Sequence, residues 1–154
     1  MSDTVTKQVL AAVTTRLEVI RTTAGYNTNA GASVYRGRRQ FQPTELPAIS
    51  IFALEEDYSD TGHADRMSNT LTIRINVHDD LENTDNPQDK IQDLVGDVKK
   101  ALFLTDRGLS GLLSDLKPIR VATTTPDDVS QSVAAVIIAA AEYPEMYGDP
   151  YTVI

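Results

Sequence analysis

Apolar residues recur every three or four positions at the start of the chain. Val5, Val9, Val13, Leu17, Ile20 and Ala24 share one side of a helix drawn over residues 3–24. Ser2 or Asp3 is placed to cap its first amides, and Gly25 to end it in a left-handed conformation. Residues 25–33, GYNTNAGAS, are dense in turn formers and read as a loop. Val34–Arg36 reads as a short strand, and the two prolines of FQPTELP (41–47) predict an extended, non-helical stretch. AISIFALE (48–55) is a strand with apolar residues on both faces. Residues 55–69 show no apolar period and many acids, so the expectation is a long, mobile hairpin loop.

TLTIRINVH (70–78) alternates cleanly. Leu71, Ile73, Ile75 and Val77 point one way, and Thr70, Thr72, Arg74, Asn76 and His78 the other, as in a strand with one buried and one wet face. DLENTDNPQDK then opens a second helix, with Asn86 as cap and Pro87 at the first helical position. Ile91, Leu94, Val95, Val98, Ala101 and Leu102 form its stripe, and DRGLSG (106–111) ends it. Residues 116–123 and 131–143 read as two further strands joined by the loop TTPDDVS. Alanine in the second also suits a helix, but the β-branched residues of VAAVII and the nearby Pro144 favour a strand. Residues 133–142 are apolar on both faces, and two helices cover one face of a sheet, so a neighbouring copy is expected over the other. The expected fold is α+β: a single, mostly antiparallel sheet of four to five strands with two helices packed on one face.

The length, 154 residues, suits one domain, 1–154, with an extended arm at 143–154. There is no cysteine, which removes disulfides and thiol nucleophiles. No apolar run approaches the ~20 residues that cross a bilayer. The first residues lack the basic start and cleavage site of a signal peptide. A formal net charge of −8 argues against broad binding to nucleic acid or membranes.

Enzyme templates do not fit. No phosphate-binding or dinucleotide glycine loop is present. Gly108-Leu109-Ser110-Gly111 lacks the second glycine of a nucleophile elbow and follows a helix rather than a strand. His78-Asp79-Asp80 would put neighbours on opposite strand faces, and Glu55, Glu56 and Asp57 lack the spacing of a calcium loop. No metal or cofactor is expected.

Against the acidic background, Arg36, Arg38 and Arg39 fall within VYRGRRQF (34–41), flanked by Tyr35 and Phe41. Either they pair with surplus carboxylates on a solvated surface, or they meet an acidic partner, another subunit or DNA, as the bidentate guanidinium favours. YPEMYGDPYTVI (143–154), with Tyr147 and Tyr151, reads as a docking arm or as a frayed tail.

Several segments together resemble the tail terminator (minor tail protein U-like, or tail completion) proteins of long-tailed bacteriophages. They are the opening helix ending in Gly25-Tyr26, VYRGR (34–38), LPAISIFALEED (46–57), the alternating strand, DKIQDLVGDVKKALF (89–103) and the strand closing on GDPYT (148–152). The likeness is one of order and flavour over most of the chain. It implies a structural virion protein without catalysis or cofactor, at the head-proximal end of the tail, assembled in the host cytoplasm. Such proteins form a ring, usually a hexamer, which caps the tail tube, ends its polymerisation and offers a surface for head–tail joining.

The implied partners are copies of the chain, the tail tube protein and neck or head-completion proteins, with DNA at most passing through the lumen and no membrane. On this reading Arg36, Arg38, Arg39, Tyr35, Phe41, Tyr147 and Tyr151 are interface residues. Protein contact ranks above DNA for the arginines, because tight DNA binding inside a ring would impede ejection. The alternatives are a head-completion or neck connector protein of the same virion, and a soluble enzyme with an unfamiliar site around His63, His78 and Asp79.

Overall fold

A computed structural model describes residues 2–82, 85–124 and 132–154, with Ser132 described by its backbone alone. Most of the expected TTPDDVS loop and the first residue of the expected 131–143 strand lie outside the described residues. Two α-helices, α1 (Val5–Glu18) and α2 (Pro87–Phe103), accompany five strands: β1 (Val34–Arg36), β2 (Ala48–Asp60), β3 (Arg66–Asp80), β4 (Asp115–Thr123) and β5 (Ser132–Met146). The strands form one sheet in the order β1-β2-β3-β5-β4. β1 lies parallel to β2, and the remaining neighbours are antiparallel. The α+β expectation of a single, mostly antiparallel sheet with two helices therefore holds.

Both helices pack on the same face. Val9, Val13 and Leu17 of α1 and Ile91, Leu94 and Val98 of α2 form one core with Ile73, Ile75 and Val77 of β3 and Val133, Ala135 and Ile137 of β5. Each fully buried aliphatic side chain contributes about 1.5–3 kcal/mol relative to exposure. Alternation sends Arg74, Asn76 and His78, with Ala134, Val136 and Ile138, to the face without helices.

Several boundaries differ from the sequence reading for identifiable reasons. Thr4, not Ser2 or Asp3, caps α1, accepting from Lys7 N at 3.2 Å. The helix stops at Glu18 rather than running to residue 24. Val19, Ile20, Thr22 and Thr23 are β-branched, which lowers helix propensity. Residues Thr22–Ala24 make a separate 3₁₀ turn, which Gly25 ends at φ 90°. Gly31 N then donates to Ile20 O at 3.0 Å, and a Cβ at Gly31 would lie 2.7 Å from that same oxygen, so only glycine admits the approach.

Residues 41–47 are not extended throughout, since Pro43–Glu45 forms a 3₁₀ turn whose Glu45 carboxylate accepts from Gln42 N at 2.7 Å. The expected loop at 55–69 is mostly ladder. β2 continues to Asp60 and β3 begins at Arg66, which leaves 61–65 as the turn. Beyond the helices both faces of this hairpin are polar, so no apolar period marked it. β5 is a strand despite its alanines, and it includes Pro144 because β4 does not reach that level.

Candidate functional site

The arginine block divides. Tyr35 sits on β1 opposite Ser50, and beyond Gly37 (φ 73°) the chain folds across the helix-free face. Arg38 N donates to Ser50 Oγ at 3.0 Å. Its guanidinium makes two bonds to Glu45, at 2.8 and 3.0 Å, and lies 4.4 Å from the Tyr35 ring centre and 5.5 Å from that of Phe41. Phe41 in turn packs 5.2 Å from His78. The Gln42 backbone amide, and after it the Arg38 guanidinium, hold the Glu45 carboxyl below the usual carboxylate range. The bond to Glu45 raises Arg38 in the same way. Arg38 therefore has its partner within the chain. Arg36 and Arg39 are exposed and make no ion pair among the described residues. An open groove of about 510 Å³ runs beside Arg39, lined among others by Phe41, Leu46, His78, Asp80 and Glu82. Burial pushes the His78 imidazole below its ordinary value.

Tyr147 and Tyr151 do not join this group. The arginine segment meets β3 at His78, whereas Tyr147 N donates to Asp65 O beside Arg66, at the far end of β3. Twelve residues of strand separate the two ends by roughly 40 Å. The expected arm at 143–154 is strand as far as Met146. It then turns at Gly148 (φ 73°), and Pro150 O accepts from Val5 N at 2.7 Å, so the segment is tied to the start of α1. Both tyrosines remain largely exposed.

A polar cluster that the sequence reading missed lies inside the sheet where α1 begins. Thr6 Oγ1 donates to Glu56 Oε1 at 2.6 Å and lies 2.6 Å from Tyr143 OH, which donates to Glu56 Oε1 at 2.9 Å. Asn69 Nδ2 bonds to Glu56 Oε1, Tyr143 OH and Glu145 Oε2 at 2.9–3.0 Å, while its buried Oδ1 has no partner. Burial, reinforced by Glu56, raises the Tyr143 hydroxyl well above its ordinary value. The available signal was Tyr143 and Glu145, two polar residues at inward positions of an otherwise apolar strand.

The residues of the enzymatic alternative are scattered. His63 lies in the hairpin turn, His78 at the opposite end of β3, and Asp79 is buried with its carboxylate 3.6 Å from Lys90 Nζ. Ser110 is exposed at φ 57°, its amide donating to Asp106. No group of three or more His, Asp or Glu among the described residues could hold a metal ion. No described helix is long and apolar enough to cross a membrane.

No protein-family model matches the chain, and no curated protein matches it. Among solved structures, the fold is similar to that of a chain from the virion of a native gene transfer agent particle. The TM-score is 0.57 at 18% identity, over 86% of this chain and 91% of that one.

Proposed function

We propose that the chain is a structural subunit of a phage-like virion, which forms a ring on the end of the tail tube, ends tube polymerisation and presents a surface for head–tail joining. The observation that carries this reading is the likeness of fold, over most of both chains, to a chain of a gene transfer agent virion. The order of segments that resembles tail terminators supports it, as do features suited to contact rather than catalysis: two unpaired strand edges and a helix-free sheet face with Val136 and Ile138 on it. Arg36 and Arg39 then face an acidic patch of a neighbouring copy or of the tube, while Arg38 shapes the segment that carries them. Ring size is taken as hexameric by resemblance.

The test is to add the chain to polymerising tail-tube subunits and measure tube length. Capped, shorter tubes are expected. Replacing Arg36 and Arg39 with glutamate should lengthen them again with little change in the thermal melt, since exposed substitutions usually shift stability by less than about 0.5 kcal/mol each. Unchanged tube length with the native chain, together with binding to a portal or neck complex, would replace the terminator reading with that of a connector.

A further inference from the structure

Two edges of the sheet are open among the described residues. β1 covers β2 only as far as Ile51, whose carbonyl accepts from Gly37 N at 2.9 Å, and from there to Asp60 β2 pairs with β3 alone. At the other side β4 pairs with β5 alone. Each edge carries a bulge with an exposed aliphatic residue on it: Leu54, 51% exposed, between Ala53 and Glu55, and Ile119, 58% exposed, between Pro118 and Arg120. The registers set the two bulges on either side of one row, for Ala53 pairs with Ile73, Ile73 with Ala139 and Ala139 with Pro118, so Leu54 and Ile119 are about one residue apart in height. One row on, Glu55, Thr72, Ala140 and Lys117 are likewise aligned.

The two edges are opposite in charge. Residues 53–60 hold four acids and no base, whereas β4 carries Lys117 and Arg120 against one acid, Asp115, which lies 3.4 Å from Arg107 of its own chain. Lys117 is bonded to Glu142 at 2.9 Å on its own chain, and Arg120 has no ion pair among the described residues. Strand direction also fits. β2 and β5 run one way and β3 and β4 the other, so a second copy placed edge to edge in the same orientation brings its β4 antiparallel to β2. That placement sets Lys117 beside Glu55 and Pro118 level with Ala53, with Leu54 and Ile119 diagonal to each other across the seam. Pairing β2 with β2 would instead oppose acid to acid, which is unfavourable across strands.

We infer that β4 of one copy adds to the distal half of β2 of the next, so that the sheet continues from subunit to subunit. The contact is head-to-tail, which does not stop at a dimer and closes into a ring where the rotation between copies closes, an open filament forming otherwise. The inference rests on the ring reading and names the surfaces that build the ring. Acids along β2 leave its edge open to a basic partner strand while discouraging self-pairing.

The chain has no cysteine, so engineered thiols report contact directly. Leu54→Cys and Ile119→Cys are made as separate chains, checked by thermal melt, mixed at high concentration and oxidised. Disulfide-linked dimers are expected in the mixture, several-fold above either variant alone, and the chain carrying both substitutions should give a ladder of multimers. Glu55→Lys should weaken the cross-link and Lys117→Glu in the partner should restore it. Absence of cross-links in the mixture, or equal cross-linking of either variant with itself, overturns the inference. Light scattering on the unmodified chain separates the two levels. Ring-sized particles without the cross-link refute the edge contact and leave the ring, whereas a chain that stays monomeric both alone and when mixed with tube ends refutes both.

Discussion

The sharpest stability prediction concerns Asp97 on α2, which is 2% exposed. Its carboxylate accepts from Asn27 N at 3.0 Å, from Thr28 N at 2.8 Å and from Thr28 Oγ1 at 2.7 Å. These bonds tie the loop before β1, and hence the arginine segment, to the second helix. In Asp97→Ala the donors lose a charged acceptor in a site with little access to water. Hydrogen bonds to charged groups contribute about 1.5–3 kcal/mol each, and bonds sharing one carboxylate are not additive, so the expected loss is about 3–5 kcal/mol. For a domain of this length each kcal/mol moves the melting temperature by about 2–4 °C, which gives a fall on the order of 10 °C. Asp97→Asn keeps an acceptor oxygen but turns an amine toward one donor, and should fall by roughly half as much. Calorimetry measures both, and a cycle with Thr28→Val isolates the hydroxyl bond. A melt of Asp97→Ala within about 2 °C of the native chain would show that water or loop movement satisfies the donors and that the tether is not structural.

Tyr143→Phe removes the hydroxyl that links Thr6, Glu56 and Asn69, so stability should fall by about 1–2 kcal/mol and amide exchange should quicken at the start of α1. Ala139, fully buried against the helices, and Ile138, on the helix-free face, separate fold from assembly. Ala139→Glu should destabilise the monomer by several kcal/mol in chemical denaturation, and Ile138→Glu should leave it folded but reduce association in light scattering. His78 binds its proton less readily folded than unfolded, so its contribution to stability is present above about pH 6.5 and is lost as pH falls below that value. His78→Phe should flatten melting temperature against pH in that range.

Some of this was legible in the sequence because a period imposed by geometry was preserved. The stripe Ile91, Leu94, Val95, Val98 and the alternation Leu71 to Val77 each have one apolar side, and each became an element facing the core. The stretch 55–69 carried no such mark. Its strands lie beyond the helices and its inward positions are held by buried Asn69 and exposed Glu56, whose carboxylate accepts hydrogen bonds from Thr6 and Tyr143, residues 50 or more positions away from it. A pattern read one segment at a time cannot register a polar group satisfied from elsewhere. The bulges at Leu54 and Ile119 are hidden for a related reason, since a bulge is a property of two paired strands and not of either alone.

The arginine block shows the same limit in sharper form. In the sequence Arg36, Arg38 and Arg39 form one dense basic group, and all three stand as interface residues on equal terms. Folding distinguishes them by backbone direction. Gly37 turns the chain over the sheet, the bond from Arg38 N to Ser50 Oγ fixes the crossing, and the Arg38 side chain is carried onto Tyr35 and toward Glu45. A guanidinium committed to a carboxylate and two rings has little left for a partner, and removing it would disturb the segment on which its neighbours stand. Arg36 and Arg39 are exposed and make no ion pair among the described residues. The compact charge that a partner would meet is thus two arginines held apart by a third that serves the fold, with Arg39 bordering a groove lined by His78 and Leu46.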